Sequence, residues 1–485
     1  MSSGKIIGNT NDKKNKKIVI IGGVAAGTSA ASKAKRVDPN AQITILQDEP
    51  LVSYGACGMP YVIEGLIDSF EKLIERPADE FKKQYDIDVL VNTRAERIDP
   101  LQQKVYAINL KNHKRVFADY DSLVIATGAR PFIPPIRGVH LDGVVLLRNY
   151  GDGEKIKSLI TNGADSAIIV GAGLIGLEIA ESFKKNGIDN VTIVEMADHV
   201  LPNILDGDLA KIVEKHLQDR GVILKLGEKL VEILGGEGRV GNGRSKNGNG
   251  RGRVRRIKTT KDSIESDLVL LGTGVRPNSE IARDAGIDLG YANAIKVDEY
   301  MRTNISNIFA AGDCATATSY VTGKDTYLPL GTTANKQGRI AGENAAGGNA
   351  VFRGIAGSAI SKSFDLYFGR TGLSFEEALK EEFEPAEETI ESITRSGYYP
   401  DNKPIWIKIV SDKKNSGRVL GSQIVGGEGV KGRIDLVALA LLLNANIADL
   451  ASYDACYVPP ASPVWEPVNI AASQLIKVIK SYHKI

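Results

Sequence analysis

SAIIVGAGLIGLEIAESFKKNG, residues 166–187, begins as an apolar β-branched run, passes through GAGLIG at 171–176 and continues as a helix-forming segment. A G-x-G-x-x-G spacing after a strand and before a helix is the mark of a dinucleotide-binding turn. Gly171 makes the tight turn, Gly173 lets a pyrophosphate approach the backbone, and Gly176 lets helix and strand pack closely. The phosphate then sits on the helix N-terminus, against Leu174 and Ile175 and one turn from Glu178. The next strand, Val191–Glu195, ends in a carboxylate 24 residues after Gly171. Glu195 can accept hydrogen bonds from a ribose diol and repel a 2′-phosphate, which predicts NADH ahead of NADPH. The plain alternative is a tight strand-to-helix turn with no ligand.

The same pattern occurs about 150 residues earlier. There Lys17–Ile21 runs into GGVAAG, with Gly22, Gly23, Val24, Ala25, Ala26 and Gly27, and a helical segment leads to a strand at Gln42–Leu46. This copy departs from the pattern twice. Val24 stands where the second glycine belongs, and the strand ends in Gln47 and Asp48, where Gln47 can still bond a diol through its amide. Each unit later carries a related strand end, ATGARP after Ser122–Ala126 and GVRPN after Leu268–Thr273, placing Thr127 and Gly128 opposite Gly274. A third such element, TNISNIFAAGDCA at 303–315, reads as a strand ending in Gly-Asp before a helix, with Asp313 able to bond a hydroxylated chain.

The pattern predicts an α/β protein with two Rossmann-like domains and a C-terminal α+β domain. Residues 1–16 form a disordered tail; 17–150 and 273–349 form the first dinucleotide domain, 151–272 the second, and 350–485 the last. In the last, strands are expected at Lys362–Phe368, Ile405–Val410 and Val419–Val425, with an apolar helix at Ile434–Leu443. Residues 235–256 hold seven Lys or Arg against one Glu among many glycines. That composition predicts a mobile loop, either a solvated hairpin insertion or a contact for RNA or a phosphate-rich partner.

Composition narrows the function. With 61 Lys plus Arg against 59 Asp plus Glu, the net charge of +2 supplies no global field for nucleic acid or acidic lipid. The longest apolar run, Leu436–Leu443, has eight residues, against the roughly 20 that span a bilayer. Residues 1–17 carry five Lys and one Asp without an apolar h-region, so a secretory signal is not expected and the cytoplasm is the expected compartment. Cysteines at 57, 314 and 456 form neither a disulfide framework nor a zinc pattern. No metal, nucleic-acid or membrane partner is expected.

Cys57 lies in SYGACGMPY, between Gly55 and Gly58, just before an expected helix that includes Tyr61–Leu66. A thiol at a helix N-terminus is expected to have a lowered pKa, and the flanking glycines allow a flat ring to approach. The alternative is a small buried hydrophobe, which is the reading given to Cys314 and Cys456.

Together, GAGLIG, GGVAAG, SYGACGMPY, ATGARP, AAGD at 310–313 and YVPPASPVWEPV near the C-terminus resemble the single-cysteine branch of the flavoprotein disulfide reductases. That branch contains coenzyme A-disulfide reductases, NADH oxidases and NADH peroxidases. The resemblance implies FAD on the first unit, with Gly22, Gly27, Gln47, Ala95, Thr127 and Asp313 among its contacts. It also implies NADH or NADPH on the second unit and a homodimer formed through residues from about 350. Ser53 stands where two-cysteine relatives carry their first cysteine, so Cys57 must pair with an outside sulfur. The first turn lacks the histidine usual in the oxidases and peroxidases, which favours the coenzyme A-disulfide type. Its coenzyme contacts carry over to Ser29, Lys33, Arg36 and Ser53, while Asn335 replaces a histidine of that type. Tyr457 of YVPP is implied as a proton donor to the partner subunit's cysteine, with Tyr367 as a second tyrosine. The acceptor is then a small-molecule disulfide, O2 or peroxide, or a sulfane sulfur. No extension follows Ile485 for a rhodanese-like domain, which lowers the expectation of a persulfide reductase. A non-enzymatic redox sensor that docks through 235–256 is the alternative of another class.

Overall fold

The computed structural model describes residues 15–236, 239–240, 243–244, 252–414 and 416–482. The tail expected at 1–16 lies almost wholly outside the described residues, and so does half of the basic loop. At the ends of that loop, Gly235 and Gly236 pair with Val254 and Arg253 as antiparallel strands, so the expected loop is narrower than 235–256.

Two parallel five-stranded sheets form the dinucleotide units. The first runs Ile308–Ala310, Ser122–Ile125, Lys17–Ile21, Gln42–Leu46 and Ile87–Leu90. The second runs Val222–Lys225, Asn190–Val194, Ser166–Val170, Leu268–Leu271 and Val144–Val145. Strands buried on both faces need near-continuous apolar sequence, and Ser122–Ile125 and Leu268–Leu271 are buried at every position. Each unit also carries a three-stranded antiparallel sheet, built from Thr93–Asp99, Lys104–Asn109 and Arg115–Asp119 in the first and from Leu230–Gly236, Arg253–Thr259 and Ser263–Glu265 in the second. The two related strand ends meet, because Ala129–Pro131 pairs antiparallel with Val275–Pro277.

The second unit takes its edge strand from Val144–Val145, ahead of the boundary expected at residue 151. Its helix Tyr150–Thr161 starts from a capping box in which Asp152 N donates to Asn149 Oδ1 at 3.0 Å.

The C-terminal domain is a five-stranded antiparallel sheet covered by helices Val430–Leu442 and Pro467–Tyr482. The strand expected at Lys362–Phe368 is instead a hairpin, Ala359–Ser363 turning into Leu366–Gly372. Phe364 takes a left-handed φ of 54° there, and its N–H donates to buried Glu181 at 2.8 Å, which holds the chain in the turn. Leu366, Phe368 and Val425 share one apolar core with the second unit and with Met59, Val62 and Ile63 behind Cys57.

Candidate active site

The two glycine turns are built alike. Gly22 and Gly171 have φ of 104° and 108°. A Cβ on them would lie 2.1 Å from Ala126 O and 2.3 Å from Gly272 O respectively, so no other residue fits. At Gly27 and Gly176 a Cβ would meet the carbonyl oxygen of Gly22 at 1.8 Å and of Gly171 at 2.2 Å. Gly173 faces open space, as an approaching pyrophosphate requires. Its counterpart Val24 has a negative φ of −104°, so the turn does not demand a left-handed glycine at that position.

The strand-end residues brace these turns. Gln47 is buried and accepts from Gly23 N at 2.7 Å through Oε1. Glu195 accepts from Ala172 N at 2.8 Å and from Ala197 N at 2.9 Å. Each oxygen keeps a second lone-pair site for a ribose hydroxyl. Asp48 is exposed just beyond Gln47.

Other expected contacts divide. Thr127 spends its hydroxyl on Asn278 O at 2.6 Å and accepts from Asn278 Nδ2 at 2.9 Å, locking the two strand ends together. Ala95 packs against the core beside the antiparallel sheet. Asp313 follows Gly312, at φ 82°, and is held by Arg148 Nη2 at 2.9 Å. No helix begins there, contrary to expectation. The chain instead forms a short hairpin at Ala317–Thr318 and Asp325–Thr326, since the β-branched run after Cys314 favours strand, and the next helix starts at Gly331.

Cys57 lies in a 3-10 turn, Ala56–Gly58, that leads into the six-residue helix Met59–Glu64. The loop before it is pinned to the first glycine turn by Ser53 N donating to Gly23 O at 2.9 Å, with Ser53 at φ 50°. One side of Cys57 is exposed, yet the surrounding protein still desolvates Sγ. Burial, followed by the carboxylates of Glu178 and Asp313, pushes the thiol above its ordinary value, with Arg148 opposing them. The expected lowering by a helix N-terminus is therefore corrected: a helix this short is outweighed by desolvation and two anions. Glu178 accepts a hydrogen bond from Ser361 Oγ of the C-terminal hairpin, and burial raises its pKa. Cys314 is fully buried, as expected, but Cys456 is exposed, which corrects its reading as a packing residue.

Tyr457 is half-exposed, and its hydroxyl lies 3.0 Å from Tyr398 Oη and 3.4 Å from Ser396 Oγ. Tyr367, expected as the second tyrosine, is half-buried with its ring against the core of the C-terminal domain. The side chain that meets Tyr457 is Tyr398, in SGYYP, which sequence reading passed over for want of a nearby motif. Arg148 was missed for the same reason; its one sequence signal is its place just before a helix cap. Ser29 Oγ donates to Asn335 Oδ1 at 2.7 Å, so that expected pair is brought together. Lys33 is tied to Glu343 at 2.8 Å, and Arg36 is exposed with Nε on Ser32 O at 3.0 Å.

With two dinucleotide-type turns and an exposed thiol in the first unit, the class is that of a two-nucleotide redox enzyme. The pyridine nucleotide-disulphide oxidoreductase profile matches residues 16–338, and the dimerisation-domain profile of the same enzymes matches 359–467. The chain belongs to the pyridine nucleotide-disulphide oxidoreductase family. It is 39% identical over 464 residues to the NADH oxidase of Methanocaldococcus jannaschii, covering 96% of this chain and 99% of that one. It is 36% identical to the NAD(P)H coenzyme A polysulfide/persulfide reductase of Pyrococcus horikoshii, covering 96% and 99%. The solved NAD-dependent persulfide reductase of A. fulgidus superposes with a TM-score of 0.90 at 39% identity, covering 96% of this chain and 84% of that one.

The chain is therefore an oxidoreductase that uses FAD and NADH or NADPH and forms a homodimer through its C-terminal domain. No helix among the described residues is long and apolar enough to cross a membrane.

Proposed function

We propose that this enzyme reduces sulfur–sulfur bonds carried by coenzyme A, as a disulfide or a persulfide, through Cys57. One observation carries the reading. Cys57 is exposed in the flavin-binding domain, while Cys314 is buried and Cys456 lies in another domain, so the sulfur that bonds Cys57 comes from outside the chain. The tight turn at Gly22–Gly27, braced by Gln47, fits FAD; Asp313, held by Arg148, follows the edge strand Ile308–Ala310 of the same sheet. Held there, FAD would supply the two-electron chemistry that links NADH to a sulfur bonded to Cys57.

The chain's own residues do the rest. Gly171–Gly176 and Glu195 hold the nicotinamide nucleotide, with Glu195 excluding a 2′-phosphate. The glycines on either side of Cys57 keep its sulfur accessible. Arg148 offsets the anions around the thiol, and its attack on the next disulfide expels a coenzyme A thiolate. Tyr457, aimed by the stiff YVPP segment, protonates the leaving thiolate at the partner subunit's cysteine. The unpaired state of the three cysteines supports a reducing compartment, the cytoplasm.

Steady-state NADH oxidation with coenzyme A disulfide, coenzyme A persulfide and O2 as competing acceptors tests the reading. A sulfur acceptor preferred over O2 is expected. Turnover on O2 alone would assign the enzyme to the oxidase reading, which its relative from M. jannaschii favours.

A further inference from the structure

We propose that Tyr398 is a positioning residue for Tyr457, holding its hydroxyl and steadying the phenolate left when that hydroxyl gives up its proton, a role that rests on the reading of Tyr457 as the proton donor. The two tyrosines come from neighbouring loops of the C-terminal domain. One loop, residues 394–403, joins the strands Pro385–Ile393 and Pro404–Asp412. It is closed at its base by Thr394 N donating to Lys403 O at 2.8 Å and Lys403 N donating to Thr394 Oγ1 at 3.2 Å. The other loop follows the helix Ile447–Ser452 and carries Tyr457. Ser396 is buried between them, and its N–H donates to Pro459 O at 3.1 Å, two residues beyond Tyr457. That bond sets the register in which Tyr457 Oη lies 3.0 Å from Tyr398 Oη and 3.4 Å from Ser396 Oγ. The far end of the Tyr457 loop is anchored as well, by Ser462 Oγ donating to Glu466 at 2.8 Å within the buried ion pair of Glu466 with Arg433.

A tyrosine that protonates a departing thiolate passes its proton from Oη to sulfur and keeps the negative charge on its own oxygen, until a proton from water restores it. A hydroxyl both donates and accepts, so when Tyr457 turns its O–H towards the sulfur, its oxygen can accept from Ser396 and Tyr398 together. Such bonds strengthen as the oxygen becomes charged. The hydroxyls of Ser396 and Tyr398 accordingly hold Tyr457 below the ordinary value of a tyrosine. Tyr398 moves the other way, raised by its bond to Tyr457, so it keeps its proton and remains a donor while Tyr457 gives its own away. The cations of the first loop are paired elsewhere, Arg395 with Glu428 and Lys403 with Asp365. Tyr398 is 77% exposed in the single chain, and Val458, Val464 and Trp465 of the Tyr457 loop are at least half exposed. The hydroxyl pair therefore lies open for a partner subunit, whereas Tyr367 is half-buried against the core of its own domain.

The test is turnover of coenzyme A disulfide across pH by Tyr398→Phe, Tyr457→Phe and the double variant. Tyr398→Phe is expected to lower kcat about tenfold, the size of one lost charge-assisted bond, while flavin reduction by NADH keeps its wild-type rate. The fall of kcat at high pH, which follows loss of the Tyr457 proton, moves to higher pH, because the phenolate has lost a donor. Ser396→Ala, at the longer contact, is expected to lower kcat about threefold. In Tyr457→Phe chains the further change Tyr398→Phe has no effect, since Tyr398 acts through Tyr457. A Tyr398→Phe enzyme whose high-pH limb does not move, or one that slows turnover equally with Tyr457 present and absent, overturns the role of Tyr398. A Tyr457→Phe enzyme that turns over at the wild-type rate overturns the reading of Tyr457 beneath it.

Discussion

The two nucleotide units solve one geometric problem with different chemistry. Both close their turns on a glycine near φ 105° that a Cβ would drive into a carbonyl, and both tie the strand-end side chain back to the turn. The first uses a buried neutral amide, Gln47, and the second a carboxylate, Glu195, bonded to two backbone N–H groups. A resident cofactor needs only to be held. A nucleotide that arrives and leaves each turnover must also be chosen, and a charge that rejects a 2′-phosphate does that.

The comparison breaks most visibly at the turn glycines. Gly22→Ala forces a Cβ to 2.1 Å from a backbone oxygen and is expected to yield protein without flavin, read as lost absorbance at 450 nm. Gly171→Ala meets the same obstacle at 2.3 Å but should keep its flavin and lose reduction by NADH. If both variants lost flavin, the units would not be independent sites.

The next effect belongs to the third domain. Tyr457→Phe keeps the ring and removes the proton donor, so disulfide turnover is expected to fall about 10²- to 10⁴-fold while flavin reduction by NADH is unchanged. A mixed dimer of Cys57→Ser and Tyr457→Phe chains should recover to about half of wild-type activity if the residues meet across the two-fold axis. No recovery would place them in one chain.

Glu195→Ala sharpens the contrast with Gln47. Losing a charge-assisted bond of about 1.5 to 3 kcal/mol raises the NADH Michaelis constant roughly tenfold or more. Gln47→Ala removes a neutral bond of about 0.5 to 1.5 kcal/mol and is expected to weaken flavin retention only modestly. A wild type that preferred NADPH would contradict the assignment of Glu195.

The smallest effect is a titration. The Cys57 thiol lies above its ordinary value, so its thiolate is scarce at neutral pH and alkylation by iodoacetamide should accelerate as pH rises through that raised value. Glu178→Gln removes the largest opposing charge and should move the midpoint down. An unmoved midpoint would leave burial and Asp313 as the causes.

Much of this was legible in the sequence, for local reasons. The strands Lys17–Ile21, Gln42–Leu46 and Ser166–Val170 fall where apolar runs meet glycine turns, because turn chemistry and hydrophobic pattern agree there. What failed depends on contacts distant in sequence. Phe364 turns because Glu181, 183 residues away, takes its N–H. Tyr398 meets Tyr457 across 59 residues, and Arg148 meets Asp313 across 165. The ion pair of Lys33 with Glu343 was not legible because nothing local marks Glu343 as its partner. The Cys57 thiol was misjudged because a helix start is visible in sequence whereas burial beside Glu178 is not.

The central claim is that electrons entering through the second unit leave only through Cys57. Stopped-flow mixing of Cys57→Ser enzyme with NADH, followed by coenzyme A disulfide, tests it directly. The account predicts that flavin bleaches at the wild-type rate and then stays reduced under anaerobic conditions, with no free coenzyme A released. Reoxidation of the flavin by the disulfide at the wild-type rate would contradict it.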